Sequence, residues 1–598
     1  MNSLLPMNKI IDFAVVGGGI AGTYVAWRLA QPDQSERLKE LVPAPSGKLA
    51  IHLFEATKRV GGRLLTVRMP GTSLKAELGG MRYTNDQLLV AHLVAKLGLT
   101  EKPFSFSTRL MYLRGRHLKL DRIETGRCST CGAPLGFPYE LRNGESPDSE
   151  RLAKQAIAKA LREVVLQPSD VGLSSTEVDQ LGEIRNALRS LDPEGKELHK
   201  FVLSAKQWAL LKRSGVIQNR RLHDLGFWNL LQHYLSGEAF LFVHDSLGYE
   251  SVFANWNAAE AIPWFLSDFG VNYLTIEEGL EVIPKYLATF FESERPDCLH
   301  KEYRLVKIEP FVHAGESLLR LIFDHQEPVI ARYVILALPK EPLKMVDFRL
   351  PGSERLRVAL DSVTAHPLFK LFLGYEYPWW GDPLALGHAS GRATTDLPIR
   401  QVYYFGPKQG ESPAGDKISR ESRAMLMASY SDEHYVDFWR PLVKLAGESP
   451  YVSDSDKLDE EEDLDILNAF GVTEPMALKA HRQILQLHPD MVERDDSVPV
   501  PYVGLVMNWG EPPFYGGWHS WEVHTEPWRI VNELKKPFSG TNLYICGEAY
   551  SLEQGWAEGA LKSAEMVLTE LNMSPPDWVP RAAYGRVRCT DYSEYIES

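Results

Sequence analysis

The sequence predicts an α/β fold, and three observations predict it. An apolar strand, Ile10 to Val16, passes through Gly17, Gly18 and Gly19 into a helical stretch, Ile20 to Ala30, and a second buried-type strand, LAIHLFE, ends on Glu55. Strand, glycine turn, helix and strand in this order form the opening βαβ unit of a Rossmann-type dinucleotide-binding domain. Strand-like segments return far downstream at 303–311, 318–324 and 333–339, and then NLYICGEAY (542–550) precedes a small-residue helix over 555–571. Between these blocks lie a charged stretch with helical periodicity and a second set of sheet-like segments.

Taken in order, Gln31-Pro32 stops the first helix, and a polar insertion up to Lys48 separates it from the second strand. Over 146–211, Leu161, Val164, Val165, Ile184, Leu188 and Leu191 recur at three- and four-residue spacings among charged residues, which predicts a helical subdomain. KLFLGYEY, RQVYYF and AMLMASYS read as strands of a second sheet. The acidic run DKLDEEEDLD (456–465) lacks the glycine and ligand order of a calcium loop and reads as a solvated surface.

Composition excludes several classes. The 598 residues carry 65 basic and 79 acidic side chains, a net charge of −14, which argues against nucleic-acid binding through neutralised phosphates. Five cysteines are too few for a disulfide scaffold and suit a reducing compartment. The early uncharged run Phe13 to Trp27 is shorter than the roughly 20 residues of a spanning helix and is broken by three glycines. A soluble, cytoplasmic protein with no membrane partner is expected, forming a homo-oligomer. Cys128-x-x-Cys131 has no second pair to complete a tetrahedral zinc set, so free thiols or one local disulfide are expected and no metal.

Gly17-x-Gly19-x-x-Gly22 supplies the bend, the close approach of a diphosphate and the helix–strand packing of a nucleotide turn. Behind it the amino end of the helix, with Ile20 and Ala21, offers free N–H groups and a positive dipole end. Glu55 closes the next strand, where a carboxylate accepts hydrogen bonds from ribose hydroxyls.

The stretches EATKRVGGRLLTV (55–67) and AELGGMRY (76–83), and at the far end ICGEAYSLEQGWAEGALKSAE (545–565), resemble the flavin amine oxidase family over about 12–570. The resemblance implies FAD, held by Gly17, Gly19, Ile20, Ala21, Gly22, Glu55, Ala56, Arg59, Gly62, Arg63, Gly80, Met81, Arg82, Leu305, Glu548, Gly555 and Trp556. Arg63, after the paired glycines Gly61 and Gly62, is implied to face the pyrophosphate, and Glu548 the ribityl chain. The implied organisation is an FAD-binding domain from 9–75, 270–345 and 538–572, and a sheet-rich substrate domain from 76–145 and 346–537. A helical subdomain takes 146–269 and a tail 573–598.

Within the family the chain looks most like the L-amino-acid oxidases, whose mark is Met-Arg after the glycine pair, here Met81-Arg82. Arg82 would grip an α-carboxylate through its planar fork. The resemblance places the second carboxylate contact at Tyr430, with Tyr403 and Tyr404 as rivals and core packing open for all three. Lys370 matches a lysine that holds water near flavin N5, where an ammonium stabilises developing negative charge. Gly555 matches the carbonyl that accepts the substrate amine, and Trp556 and Trp518 the aromatic walls. Relatives with covalent flavin carry cysteine where Trp518 stands, so non-covalent FAD is implied.

The activity implied is oxidation of an L-amino acid by O2 to a 2-oxo acid, ammonia and hydrogen peroxide; the acidic balance slightly favours basic side chains (arginine or lysine), while Trp518 and Trp556 would suit an aromatic one or the stem of a long side chain. An amide-forming, decarboxylating amino-acid monooxygenase on the same scaffold and a non-catalytic flavoprotein are the alternatives.

Overall fold

The computed structural model describes residues 10–32, 38–42, 48–104, 106–119, 136–167, 175–268, 272–388, 390–406, 423–453, 458, 461–492, 498–581 and 584. Cys128, Cys131 and Cys589 lie outside the described residues; Cys298 is half-buried and Cys546 buried. Among the described residues no helix is long and apolar enough to cross a membrane, and no group of three or more His, Cys, Asp or Glu is placed to hold a metal ion.

The fold is the mixed α/β architecture the sequence predicts, organised around two large sheets. The first runs, in spatial order, Leu299–Lys301, Ile51–Glu55, Ile10–Val16, Val329–Leu336, Glu316–Phe323, Leu305–His313 and Asp347–Phe348. Ile10–Val16 has parallel neighbours on both sides and is buried along all but its first residue, which is why its sequence is continuously apolar rather than alternating. Burying each such Val or Ile contributes about 1.5–3 kcal/mol.

Val329–Leu336 divides its second edge between two partners. Its first half pairs antiparallel with Glu316–Phe323, and its last three residues pair parallel with Leu543–Ile545. The helices Ile20–Ala30, Val282–Glu294 and Ala557–Glu570 pack together on one face of this sheet, with Leu88–Lys96 against the last of them. Across that packing the Tyr24 hydroxyl donates to Glu565 at 2.6 Å, and Arg28 pairs with the same carboxylate.

The second sheet runs Val503–Asn508, Leu368–Tyr375, Ala424–Asp432, Gln401–Tyr404, Gly391–Thr395, Thr108–Leu113 and Arg116–Lys119. Leu368–Tyr375 lies inside it, buried throughout, with Lys370 opposite Tyr430 on one side and Met507 on the other. Lys370 is therefore a buried charge on an interior strand, not an edge-strand charge.

The helical region holds Ser149–Glu163, Ser175–Ser190, Ala205–Ser214, Phe227–Tyr234, Gly237–Leu247 and Ala258–Asp268. Two local readings change. Val164 takes an extended conformation that ends its helix, so Val165 joins a short strand against Gly215–Ile217 and is 58% exposed. Within the acidic run, Asp463 is fully buried, paired with Arg68 at 2.7 Å and accepting from Gly71 N at 3.1 Å. That carboxylate fastens the Thr66–Arg68 hairpin and is not solvated.

Candidate active site

The glycine turn is shaped by what a side chain would strike. Gly17 has φ +113°, and a Cβ there would lie 2.4 Å from Ala337 O; a Cβ on Gly22 would lie 1.8 Å from Gly17 O. Gly62, at φ +57°, approaches Gly19 so closely that its Cβ would be 3.0 Å from Gly19 Cα, and Gly61 N donates to Gly18 O at 2.8 Å. The Glu55 carboxylate accepts from Gly18 N at 2.6 Å and from Thr57 N and Oγ1 at 2.8 Å, which fixes it at the end of its strand.

A cavity of about 490 Å³ opens over this turn. Of the residues implied to hold the cofactor, Gly17, Gly19, Ile20, Ala21, Glu55, Ala56, Gly62, Arg63, Gly80, Leu305, Glu548, Gly555 and Trp556 line it. Gly22 stands behind the turn, in contact with Gly17 O. Arg59 donates to Gly62 O and to Leu64 O (3.1 Å) and pairs with Glu281 at 3.1 Å, so it braces the loop from outside. Met81 and Arg82 line a second cavity instead. A glycine cradle, a helix amino end and a fixed carboxylate at one end of this space are what a dinucleotide needs, so the residues fit one.

Glu548 anchors the far end. Its Oε1 accepts from His519 N at 3.1 Å and Gly555 N at 2.6 Å; its Oε2 meets His519 Nδ1 at 2.7 Å and Arg63 at 2.8 Å. Burial opposes its charge, but Arg63 and His519 together hold the carboxyl well below the usual range. Both oxygens are thus engaged by the protein, and Arg63, which also donates to Gly517 O at 3.0 Å, is turned toward Glu548. A ribityl hydroxyl or a pyrophosphate would share these groups rather than find them free.

The second cavity, about 160 Å³, shares Arg63, Leu64, Gly80, Gly517, Gly555 and Trp556 with the first. Arg82, Lys370, Tyr430 and Trp518 line it as well. Gly555, at φ +85°, lies against the Trp518 ring, where a Cβ would come within 3.2 Å. The Trp518 indole donates to Ser251 Oγ at 3.2 Å, and His366 stacks on the ring at 4.6 Å between centroids. Trp556 stacks with Tyr273 at 6.2 Å, and the Arg82 guanidinium lies 3.8 Å from the Tyr273 ring centre. Lys370 Nζ donates to Gly79 O at 2.6 Å and Glu77 O at 3.1 Å and sits 4.9 Å from the Tyr430 ring centre. Burial pushes the Lys370 ammonium down in pKa, against the pull of Glu77.

Neither Tyr403 nor Tyr404 lines this cavity, although Tyr403 lies near Tyr430 and Tyr249. The Tyr403 ring packs on Phe104 and Phe106, and the Tyr404 hydroxyl meets His488 Nε2 at 2.7 Å in a different core cluster. Two residues escape a reading of the sequence, one lining the chamber and one behind its wall. Tyr249, whose ring meets that of Tyr430 edge-on at 5.3 Å between centroids, enters from the helical region. Burial, opposed by Arg82, pushes the Tyr430 phenol up to about 12. Tyr273 supports Arg82 from the small sheet formed with Tyr83–Thr84 and Glu101–Pro103. A faint signal exists for Tyr249: it follows Gly248, a left-handed helix stop.

A family model described as flavin-containing amine oxidoreductase matches residues 39–567. The chain is similar to aplysianin-A of Aplysia kurodai, 24% identical over 94% of this chain and 90% of that protein. It is 25% identical to achacin of Lissachatina fulica, with 94% and 93% covered. With the L-amino-acid oxidase of Mus musculus it shares 23% identity over 93% of this chain and 70% of that one. A putrescine oxidase redesigned in its cofactor binding superposes with a TM-score of 0.55, covering 94% of this chain and 98% of that one at 14% identity, a likeness of fold.

Proposed function

Because the chain belongs to the flavin-containing amine oxidoreductases, we propose that it is an FAD-dependent L-amino-acid oxidase that deaminates its substrate with O2. The observation that carries this reading is a single chamber holding Arg82, Tyr430 and Lys370 and sharing the Gly555–Trp556 wall with the dinucleotide cavity.

When bound, the flavin supplies the two-electron acceptor that O2 later restores, yielding hydrogen peroxide. The protein supplies position and field. Arg82, flattened on Tyr273, presents its fork to the α-carboxylate, and Tyr430 adds a hydroxyl. The Gly555 carbonyl accepts from the substrate amine. Held at both groups, the Cα–H bond is directed at the shared wall, and this prior orientation lowers the barrier. Trp518 and Trp556 exclude water until the imino acid leaves and hydrolyses to a 2-oxo acid and ammonia. No cysteine lines the larger cavity among the described residues, which supports a flavin held without a covalent bond.

The charged residues lining the reaction chamber are Arg63, Arg82 and Lys370, with no carboxylate among the described ones. A basic side chain is favoured only through a neighbouring cavity of about 520 Å³, which shares Trp264 and Trp556 with the chamber and carries Asp86, Glu260 and Glu553, with Lys212 paired to Glu260 and Lys562 to Glu553. The preference for lysine or arginine therefore rests on a side chain long enough to lay its stem on the indoles and its charge beyond them.

Anaerobic addition of single amino acids should bleach the flavin band, and aerobic turnover should give oxo acid and peroxide in equal yield. An oxidised band that persists with all twenty removes the enzyme reading, and amide with carbon dioxide replaces the oxidase by the monooxygenase. Phenylalanine turned over far faster than lysine and arginine reverses the side-chain preference. Arg82→Ala should lower kcat/KM by roughly 100-fold, the equivalent of about 3 kcal/mol for a charge-assisted contact; unchanged kcat/KM refutes the carboxylate clamp.

A further inference from the structure

The ammonium of Lys370 is 2% exposed, yet both of its hydrogen-bond acceptors are neutral backbone carbonyls. A buried cation so held needs a counter-charge nearby. The groups facing it are Glu77, Arg82 and the Tyr430 ring; of these only Glu77 is anionic.

Glu77 ends the short strand Lys75–Glu77, and its backbone carbonyl is one of the two that accept from Lys370. Its carboxylate accepts from Leu280 N at 2.9 Å and from Thr66 Oγ1 at 2.8 Å. Thr66 then leads to a second buried carboxylate. Glu281 N donates to Thr66 Oγ1 at 3.3 Å, Thr66 N donates to Glu281 Oε2 at 3.3 Å, and Glu281 pairs with Arg59 and with Lys285, each at 3.1 Å. Arg59 in turn donates to the carbonyl of Gly62, in the wall of the dinucleotide cavity. Along this path a cation stands at each end, Arg59 and Lys370, with the two carboxylates Glu281 and Glu77 between them.

We infer that Glu77 is a positioning residue that keeps Lys370 charged at the reacting edge of the cofactor, and that Thr66 and Glu281 tie this charge to the cofactor-binding loop. The inference rests on the assignment of the chamber as the place where the cofactor's reacting edge lies. Burial drives Glu77 up and Lys370 down, each toward its neutral form, and each opposes that drift in the other. The Glu77 carboxyl also faces Glu281, a like charge that pushes it further up. Such a pair titrates as a unit, so the field it sets at the cofactor changes with pH. Without Glu77, Lys370 and Arg82 are two cations in one small chamber, and the ammonium loses its proton first.

The test measures the two-electron potential of the flavin-loaded protein against pH, by anaerobic equilibration with a reference dye, in wild type, Glu77→Gln, Lys370→Met and the double variant. In wild type the potential carries an inflection. Glu77→Gln should displace that inflection to lower pH by at least one unit and lower the reduction equilibrium constant at pH 7 by about tenfold, roughly 30 mV for two electrons. Lys370→Met should abolish the inflection, and the double variant should match Lys370→Met. A Glu77→Gln protein with the wild-type profile, or a double variant whose loss is the sum of the two singles, overturns the inference.

If Glu77→Gln does not retain flavin, Thr66→Val removes one donor to the carboxylate and should move the inflection, while an unmoved one overturns the inference as well. No substrate enters these measurements. A protein whose potential follows Glu77 but which no amino acid reduces would refute the proposed substrate and leave this inference standing; one reduced by amino acids with a potential blind to Glu77 would do the reverse.

Discussion

Replacing Glu548 by Gln tests the anchor that joins the two cavities. The carboxylate is 6% exposed and engaged on both oxygens, and Arg63 at 2.8 Å is only 20% exposed at its side chain. The Glu548→Gln side chain would keep one oxygen for His519 N and Gly555 N, but it would set an amide N–H against the Arg63 guanidinium. Breaking a buried pair by removing one charge costs about 3–5 kcal/mol; the partial exposure of Arg63 puts the expected loss near about 3 kcal/mol. With about 2.1 cal/mol/K of unfolding entropy per residue over 598 residues, Tm should fall by roughly 2–3 °C. Differential scanning calorimetry of the flavin-loaded protein reads this directly, and flavin fluorescence reports release.

The pH dependence of that loss has a definite sign. The folded carboxyl lies well below its ordinary value of 4.5, so its contribution is complete above the unfolded value and is lost as pH falls through the folded one. The gap in Tm between wild type and variant should therefore be flat from pH 8 to about 5 and narrow below the ordinary carboxylate range. A Glu548→Gln protein that melts within about 1 °C of wild type, or a gap that narrows toward high pH, refutes the reasoning.

Two further outcomes follow from the geometry. Gly22→Ala places a methyl 1.8 Å from Gly17 O, so the purified protein should lack the yellow flavin band, and a stoichiometric band would show that the turn yields. Tyr249→Phe removes a hydroxyl from the ring that packs edge-on against Tyr430 in the chamber and should raise KM about fivefold, from about 1 kcal/mol, with kcat nearly unchanged; an unaltered KM in steady-state assays excludes Tyr249 from the clamp.

The nucleotide turn is legible in sequence because its constraints are local: Gly17, Gly22 and Gly62 each sit where a Cβ meets backbone within a few residues or one strand away. Lys370 is legible for a related reason, since a charge in a continuous apolar strand has to be explained. Tyr249 and Tyr273 are not, because each comes from a different element and only the packing brings them to Tyr430 and Arg82. Asp463 misleads for the opposite reason. Composition describes a run of acids as a whole, while burial is decided residue by residue, and one helical face turns Asp463 toward Arg68. Val165 fits the helical spacing, but the spacing carries no information about where the helix is capped.

The division of Val329–Leu336 between Glu316–Phe323 and Leu543–Ile545 bears on how the chain is made. A ribosome delivers the glycine turn first and the last strand of its sheet more than five hundred residues later, together with Glu548 and the helix whose Glu565 holds Tyr24 and Arg28. Until that segment emerges, the end of Val329–Leu336 has an open edge and the glycine turn half a cofactor cradle. Sheet pairings this distant in sequence form late, and incomplete domains with exposed edges are prone to associate. A chain lacking the segment around Glu548, Gly555 and Trp556 is left without one wall of the dinucleotide cavity.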